Sequence, residues 1–511
     1  MKNKISSCAK SVCGNEVNNE MKSTIPSVDK PWMKYYSEEA VNATIPECSM
    51  YEYMARENAG RTEAALNYFG RRISYRKLLD DIDSDCGLLQ KLGVVRGECI
   101  PVFAVNIPEC ISILYAINKI GAVADMEQLN LSAREMEASL TDINPRIVIT
   151  VDICLQTLLQ AASSIKSIER ILVLSIGDSF SGLKRVFYNQ KIKLEDTRCI
   201  LKSCMRGKEI RCIGVPRVFE ENAAVIVHSG GTTGKPKEIV LSNRNLNAIA
   251  VEYKFSLLGL DKGDSFLNIA PPFIAFGLAL AIHVPLCLGL TICLSPSPNP
   301  DDTGKIFQYY KPQHFLGGPL HIRSIVEAYE KNSKKMPYLL TCGYGGENIS
   351  KEDEQRYVSF LRSRGAKIEH LSPGYGMTEL GSTVVVDGRN LHRDGSVGVP
   401  FALANIRITN PDTGDELGAN QEGEIWLTSP SLMVGYLNNE KETDSVIVAI
   451  DGQRWIKSGD SGYIDEDGFV YIKRAWSCKR CGRNCCPGRR FGQDTGYGIW
   501  EERLQQVTEW L

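Results

Sequence analysis

Histidine is scarce in this sequence: six residues in 511, with no convincing Ser/His/Asp constellation for nucleophilic catalysis. Net charge is nearly absent as well. A formal charge of −2 leaves no global footprint for nucleic acid or for an acidic membrane surface. The stretch Met1 to Asn19 lacks the apolar core of a secretory leader, so a reducing cytoplasm is the expected compartment. The 17 cysteines fit that reading, because most stand singly in apolar contexts (Cys99, Cys110, Cys154, Cys287, Cys293) and read as small buried hydrophobes. No clean membrane-length run is present either. Phe276 to Leu294 is almost wholly apolar, but His283, Pro285 and glycines interrupt it, and a buried helix followed by a buried strand accounts for it.

What is present is the texture of a large α/β protein. The chain is too long for one compact core, so several subdomains are expected. Residues 1–30 are polar, weakly periodic and expected to be disordered. Beyond them helical and strand patterns alternate. Ser74 begins an amphipathic helix running to about Leu92, Glu98 to Val105 reads as a strand, and Pro108 opens a helix reaching about Ile120. Arg146 to Val151 and Arg170 to Leu174 are further short apolar runs, and their spacing argues for parallel βαβ sheets buried on both faces. The pattern restarts at Ala223. After Asp394 short strands lie between Asp-Gly, Pro-Asp and Asn-Asn turns, which indicates a small β-rich subdomain. The expected organisation is a body over 31–473, divided into 31–220, 221–393 and 394–473, and a tail over 474–511.

One segment carries chemistry on its face: Ser229-Gly-Gly-Thr-Thr-Gly-Lys-Pro-Lys237, between two apolar strands. Gly230, Gly231 and Gly234 let backbone approach a ligand closely and leave amide N–H groups free to point inward. Ser229, Thr232 and Thr233 add hydroxyls and Lys237 a mobile positive charge, a set suited to a polyphosphate. A Walker A loop is excluded, because Pro236 follows Lys235 where Ser or Thr is required and a strand follows in place of a helix. A dinucleotide Gly-x-Gly-x-x-Gly fingerprint is absent from it too.

The loop resembles the phosphate-binding signature of the adenylate-forming superfamily, which includes acyl-CoA synthetases, peptide-synthetase adenylation domains and luciferases. Tyr375-Gly-Met-Thr-Glu379 resembles that family's adenine and metal motif, and Ser458-Gly-Asp460 its ribose motif. Gly345-Gly-Glu347 is similar to the turn beside adenine, and Gly395–Pro400, Glu422–Ile425 and Gly435-Tyr436 are landmarks in the right order. The resemblance implies a large N-terminal domain of two βαβ-type sheet subdomains and a β-rich one. It implies ATP and Mg²⁺ as cofactors and CoA or a carrier-protein thiol as acceptor. Residue by residue it places Ser229, Gly230, Gly231, Thr232, Thr233, Gly234 and Lys237 on the phosphates. Gly345, Gly346, Glu347, Tyr375, Gly376 and Met377 fall around the base, Thr378 near the α-phosphate, Glu379 on Mg²⁺ and Asp460 on the ribose. Thr232, Lys237, Thr378 and Glu379 are the implied catalytic set.

The implied reaction explains the missing constellation. A carboxylic acid is ionised at neutral pH, so its attack on the α-phosphate needs alignment and charge neutralisation rather than a general base. Amino-acid-activating relatives carry an aspartate near the segment matching Pro271–Gly277, and none stands here. With apolar Leu278–Leu290 and Phe315–Leu320 nearby, a fatty or aromatic acid is expected. The histidine many acyl-CoA synthetases carry in that segment is missing too, and His283 reads as structural.

From Arg474 the resemblance ends. In the family a hinge and a mobile C-terminal domain follow, the latter bringing a lysine to the reaction; here Arg474 to Arg490 holds six basic residues, no acidic one and four cysteines. Cys478, Cys481, Cys485 and Cys486 offer a zinc knuckle as a competing reading, but four cysteines within nine residues make a cramped site. The expectation is a frame slip near codon 474 that replaces hinge, lysine and mobile domain with an aberrant tail, leaving an ATP-binding remnant as the alternative to an active enzyme. Reading the coding DNA in another frame is predicted to restore them, and an intact frame in several independent clones would overturn this.

Overall fold

The computed structural model describes residues 25–475 apart from 181–182, 191, 193, 206–210, 216, 230–235 and 298. The tail cysteines Cys478, Cys481, Cys485 and Cys486 lie outside the described residues, as does 1–24 of the expected disordered segment. Residues 25–30 differ from that expectation. Pro26–Asp29 form a helical turn held on the β-rich region, where Asn405 donates to the Ser27 carbonyl at 3.0 Å and Ser27 N–H to Glu416 at 3.3 Å.

Helix starts follow local chemistry. The Ser74 hydroxyl accepts the Lys77 N–H at 3.2 Å and caps Tyr75–Lys91. Pro108 opens Pro108–Ile120, and Gly121, at φ +83°, supplies the left-handed residue that ends it. Such helices cover two large sheets. In the first, strands 123–127, 99–103, 147–151, 170–174 and 199–201 run parallel beside 223–228, and the edge is completed antiparallel by 238–242 and 435–436. The second orders 399–400, 382–386, 372–377, 341–345, 314–317, 265–268, 291–294, 64–68 and 71–74, parallel except at its two ends. A third, antiparallel sheet joins 405–409, 423–428, 453–464, 447–450 and 470–475.

Sheet membership crosses the cuts expected at 220 and 393. Strands 64–68 and 71–74 complete the second sheet, with Leu66 opposite Ile292, while 223–228 and 238–242 extend the first. The larger of two hydrophobic clusters accordingly runs through all three sheets, from Trp32 to Val470, and a second gathers around Phe307, Phe315 and Tyr329. Among the described residues no helix is long and apolar enough to cross a membrane. The apolar run beginning at Phe276 is a buried π-helical segment, Phe276–His283, continued by Val284–Leu288 and the strand Thr291–Leu294. Cysteines 48, 110, 154, 287, 293 and 342 are buried and free, whereas Cys86 and Cys212 are joined in a disulfide.

His283 sits inside this core. Burial holds its imidazole down at about 3, so it is neutral. Asn247 donates its amide to the Cys48 carbonyl, which turns its oxygen toward His283 Nε2 at 3.3 Å; Nδ1 then accepts the Tyr115 hydroxyl at 3.0 Å. His283→Ala is expected to cost about 2–4 kcal/mol, because it opens a cavity and strands two buried polar groups. A urea midpoint unchanged from wild type would contradict this account.

Candidate nucleotide-binding site

The loop singled out above is the turn of a hairpin. Strand Ala223–His228 runs antiparallel to Glu238–Ser242, with His228 opposite Glu238. The loop's base is closed twice: Ser229 N–H donates to the Lys237 carbonyl, and Lys237 N–H to the Ser229 hydroxyl, both at 3.0 Å. Gly230, Gly231, Thr232, Thr233 and Gly234 lie outside the described residues. The Lys237 ammonium stands 2.6 Å from Glu442 and 4.7 Å from the centre of the Tyr436 ring. Tyr436, on the edge strand Gly435–Tyr436, donates its hydroxyl to Glu379 at 2.9 Å. Glu379 is 2% exposed. Lysine, aromatic ring and buried carboxylate thus form one relay from the loop to the second sheet.

Glu379 lies in the turn Thr378–Leu380, which joins Ser372–Met377 to Ser382–Val386. The pairing is irregular between Tyr375 and Gly376, and a Cβ at Gly376 would sit 2.1 Å from the Ser382 carbonyl oxygen. Only glycine fits that bulge. Tyr375 donates its hydroxyl to Asp460 at 2.8 Å. Asp460 is aimed by its neighbours: Gly459 takes φ +73°, and the Ser458 hydroxyl bonds the Ile425 carbonyl while accepting the Asp460 N–H. Gly345 pairs with Gly374, so two adjacent strands present bare backbone there. Gly346, at φ +82°, turns the chain away toward the partly buried Glu347, and Met377 and Thr378 are half-buried. The structure therefore brings Lys237 to Glu379 through Tyr436, and Tyr375 to Asp460.

Sequence reasoning missed three parts of this arrangement. Tyr436 was visible only as a landmark, and Glu442 carried no signal, being 205 residues from Lys237. The third is a buried trio at the end of the strand that leads into the loop: Asp125, Glu127 and His228, at 0%, 2% and 5% exposure. Two acids alternating in an otherwise apolar strand, Val123–Glu127, were the available signal. His228 Nε2 lies 3.3 Å from Asp125 and 3.8 Å from Glu127, and the Ser139 hydroxyl also bonds Glu127. Burial, then the Asp125 charge, pushes Glu127 up to about 7, with His228 opposing. Burial alone would depress His228, but the Asp125 hydrogen bond and the Glu127 charge outweigh it and raise the imidazole.

Both shifts make stability fall as pH rises. A carboxyl at about 7 in the fold and 4.5 outside it loses folding free energy across that interval. A histidine raised above 6.5 contributes fully below 6.5 and loses that contribution as pH passes its folded value. Glu127→Gln is therefore expected to gain on wild type from pH 5 to pH 8.5, by roughly 1 °C in melting temperature for each kcal/mol removed in a body of this size. Parallel curves of melting temperature against pH would refute it.

Comparison with known proteins gives the arrangement a family. Residues 54–437 match the family model described as AMP-binding enzyme. A long-chain-fatty-acid–CoA ligase of Bacillus subtilis (strain 168) is 26% identical over 458 residues, covering 87% of this chain and 80% of the relative. Probable 4-coumarate–CoA ligase 1 of Dictyostelium discoideum is 25% identical over 451 residues, covering 86% and 79%. Among solved structures, an anthranilate CoA ligase in complex with anthranoyl-AMP superposes with a TM-score of 0.73 at 19% identity, covering 85% of this chain and 79% of that one. The family match spans most of the chain, including the loop and the Tyr375–Glu379 turn, and this protein belongs to the AMP-binding enzyme family.

Proposed function

We propose that this protein activates a fatty or aromatic carboxylic acid as its acyl-adenylate and passes the acyl group to CoA, releasing pyrophosphate and AMP. The observation that carries the reading is the relay Lys237–Tyr436–Glu379 beside the Tyr375–Asp460 bond, which draws three separate sequence motifs into one place. Relatives named as fatty-acid and coumarate CoA ligases support the substrate class.

In this reading Tyr375 stacks on adenine, next to the bare backbone at Gly345 and Gly374, and Asp460 accepts the ribose hydroxyls. Gly346, Glu347, Gly376 and Met377 shape the same wall. Ser229, Thr232, Thr233 and the amides of Gly230, Gly231 and Gly234 hold the phosphates. Lys237 leaves Glu442, an exposed pair of small intrinsic strength, when the polyphosphate arrives. Thr378 stands by the α-phosphate. Mg²⁺ fits the donor set, because Glu379 is a hard-oxygen ligand held in place by the Tyr436 hydroxyl. When bound, it neutralises phosphate charge. The acid's own carboxylate is the nucleophile, so aligning it and excluding water are the remaining tasks. The half-buried Phe273 borders the loop, its carbonyl accepting the His228 N–H at 2.9 Å, and an acidic residue is missing from Pro271–Gly277. An apolar acyl or aryl group suits that wall.

ATP–pyrophosphate exchange with a panel of fatty and aromatic acids tests the proposal. At least one acid is expected to support exchange, and Lys237→Ala and Glu379→Gln are each expected to lower it by about 10²-fold or more. ATP binding without exchange for any acid would leave only a binding remnant. Supplying CoA or a carrier-protein thiol then identifies the acceptor, and transfer only to the carrier would overturn the CoA half of the reading.

A further inference from the structure

A second convergence of side chains lies away from the nucleotide motifs. His370 precedes strand Ser372–Met377, and Asp387 follows its antiparallel neighbour Ser382–Val386, with Asp387 N–H donating to the Pro373 carbonyl at 3.0 Å. The pair therefore closes the open end of the hairpin whose turn carries Thr378 and Glu379. With about 3.3 Å of rise per strand residue, that end is on the order of 15–20 Å from the turn. His392 returns to the same place after the short bridge between Gly388 and Leu391.

The three side chains meet on one atom. His370 Nε2 is 2.9 Å and His392 Nδ1 2.8 Å from Asp387 Oδ2, and the two rings stack with centroids 4.1 Å apart. Asp387 is 0% exposed, and its other oxygen, Oδ1, makes no hydrogen bond. All three donor atoms lie within 4.8 Å of one another. A tetrahedral zinc site with bonds of 2.0–2.1 Å needs donor separations of about 3.3 Å. The two nitrogen-to-Asp387 separations are about half an ångström short of that, within reach of small side-chain rotations.

We propose that His370, Asp387 and His392 form a site for one divalent transition-metal ion of the zinc class, which clips the open end of the hairpin to the segment that follows it. Two imidazoles and a carboxylate are the donors such ions prefer. The surroundings fit a dication. Asp394 lies 3.3 Å from His392 Nε2, the outer carboxylate that orients a ligating imidazole, and Lys351 pairs with Asp394 at 3.4 Å. Glu354 faces the same cluster. The hydrogen bond from His370 Nε2 to the Gly388 carbonyl, 3.0 Å, is the contact the ion replaces. His392 is 27% and Asp394 73% exposed, which gives the ion a way in.

The test uses the full chain, freed of metal by dialysis against a chelator and titrated with Co²⁺ as the spectroscopic probe. One equivalent is expected to bind with micromolar affinity, giving visible ligand-field bands without thiolate-to-cobalt charge transfer, and a raised melting temperature. The double variant His370→Ala/His392→Ala should lose the bands and the thermal shift. Asp394→Asn, an exposed change that leaves the three donors in place, should weaken binding about 10-fold or more. Bands that survive the double variant, bands dominated by thiolate charge transfer, an affinity indifferent to Asp394→Asn, or no binding at millimolar Co²⁺ would each overturn the site.

Discussion

The bond from the Tyr436 hydroxyl to the Glu379 carboxylate is the contact on which the candidate site depends. Tyr436 belongs to the edge of one large sheet and Glu379 to a turn of the other. The bond lies in a seam stitched at several points. Met433 N–H donates to the Glu379 carbonyl at 2.7 Å, and Asn245 donates to the carbonyls of Pro430 and Leu432. Ser429 donates to the buried Glu252, whose carboxyl burial pushes up to about 8 and so keeps neutral near pH 7. A polar seam closed in this way fixes the distance between the loop hairpin and the Tyr375 hairpin. Preorganisation of that kind is what an associative step with no general base requires.

Much of the fold is legible locally. Ser74, Pro108 and the hairpin flanks of the loop announce their elements because capping, proline geometry and strand patterning act within a few residues. The assignment of strands to sheets was not legible. Nothing near Leu66 indicates that it pairs with Ile292, because crossover connections, not local propensity, decide that partnership. The site divides along the same line. Tyr375, Glu379, Lys237 and Asp460 sit in short motifs whose spacing is visible, whereas Glu442 reaches Lys237 only through the fold. The Asp125–Glu127–His228 trio was hidden for another reason: two acids in a strand read as a solvated face, and only the neighbouring strand shows that they are inside.

The trio and the seam are alike in physical terms. Each sets ionisable groups in the interior beside one of the sequence motifs, where burial is the largest influence on the carboxyls and close partners oppose it only in part. Hydrogen bonds between polar groups held in low dielectric are directional, which apolar packing alone is not. His228 passes directly into Ser229, so the trio ends one residue before the loop begins.

The interleaving of the sheets bears on how the chain is made. A strand formed near residue 64 waits for its parallel partner near 292, more than two hundred residues later in synthesis. The first sheet likewise gains its last edge strand only at Gly435–Tyr436. Until then both sheets emerge from the ribosome with open, apolar edges, the condition under which strands pair with the wrong neighbour. Contacts so distant along the chain also carry a high loop-closure cost, which slows folding. A protein built this way completes its sheets only when most of the chain has been made.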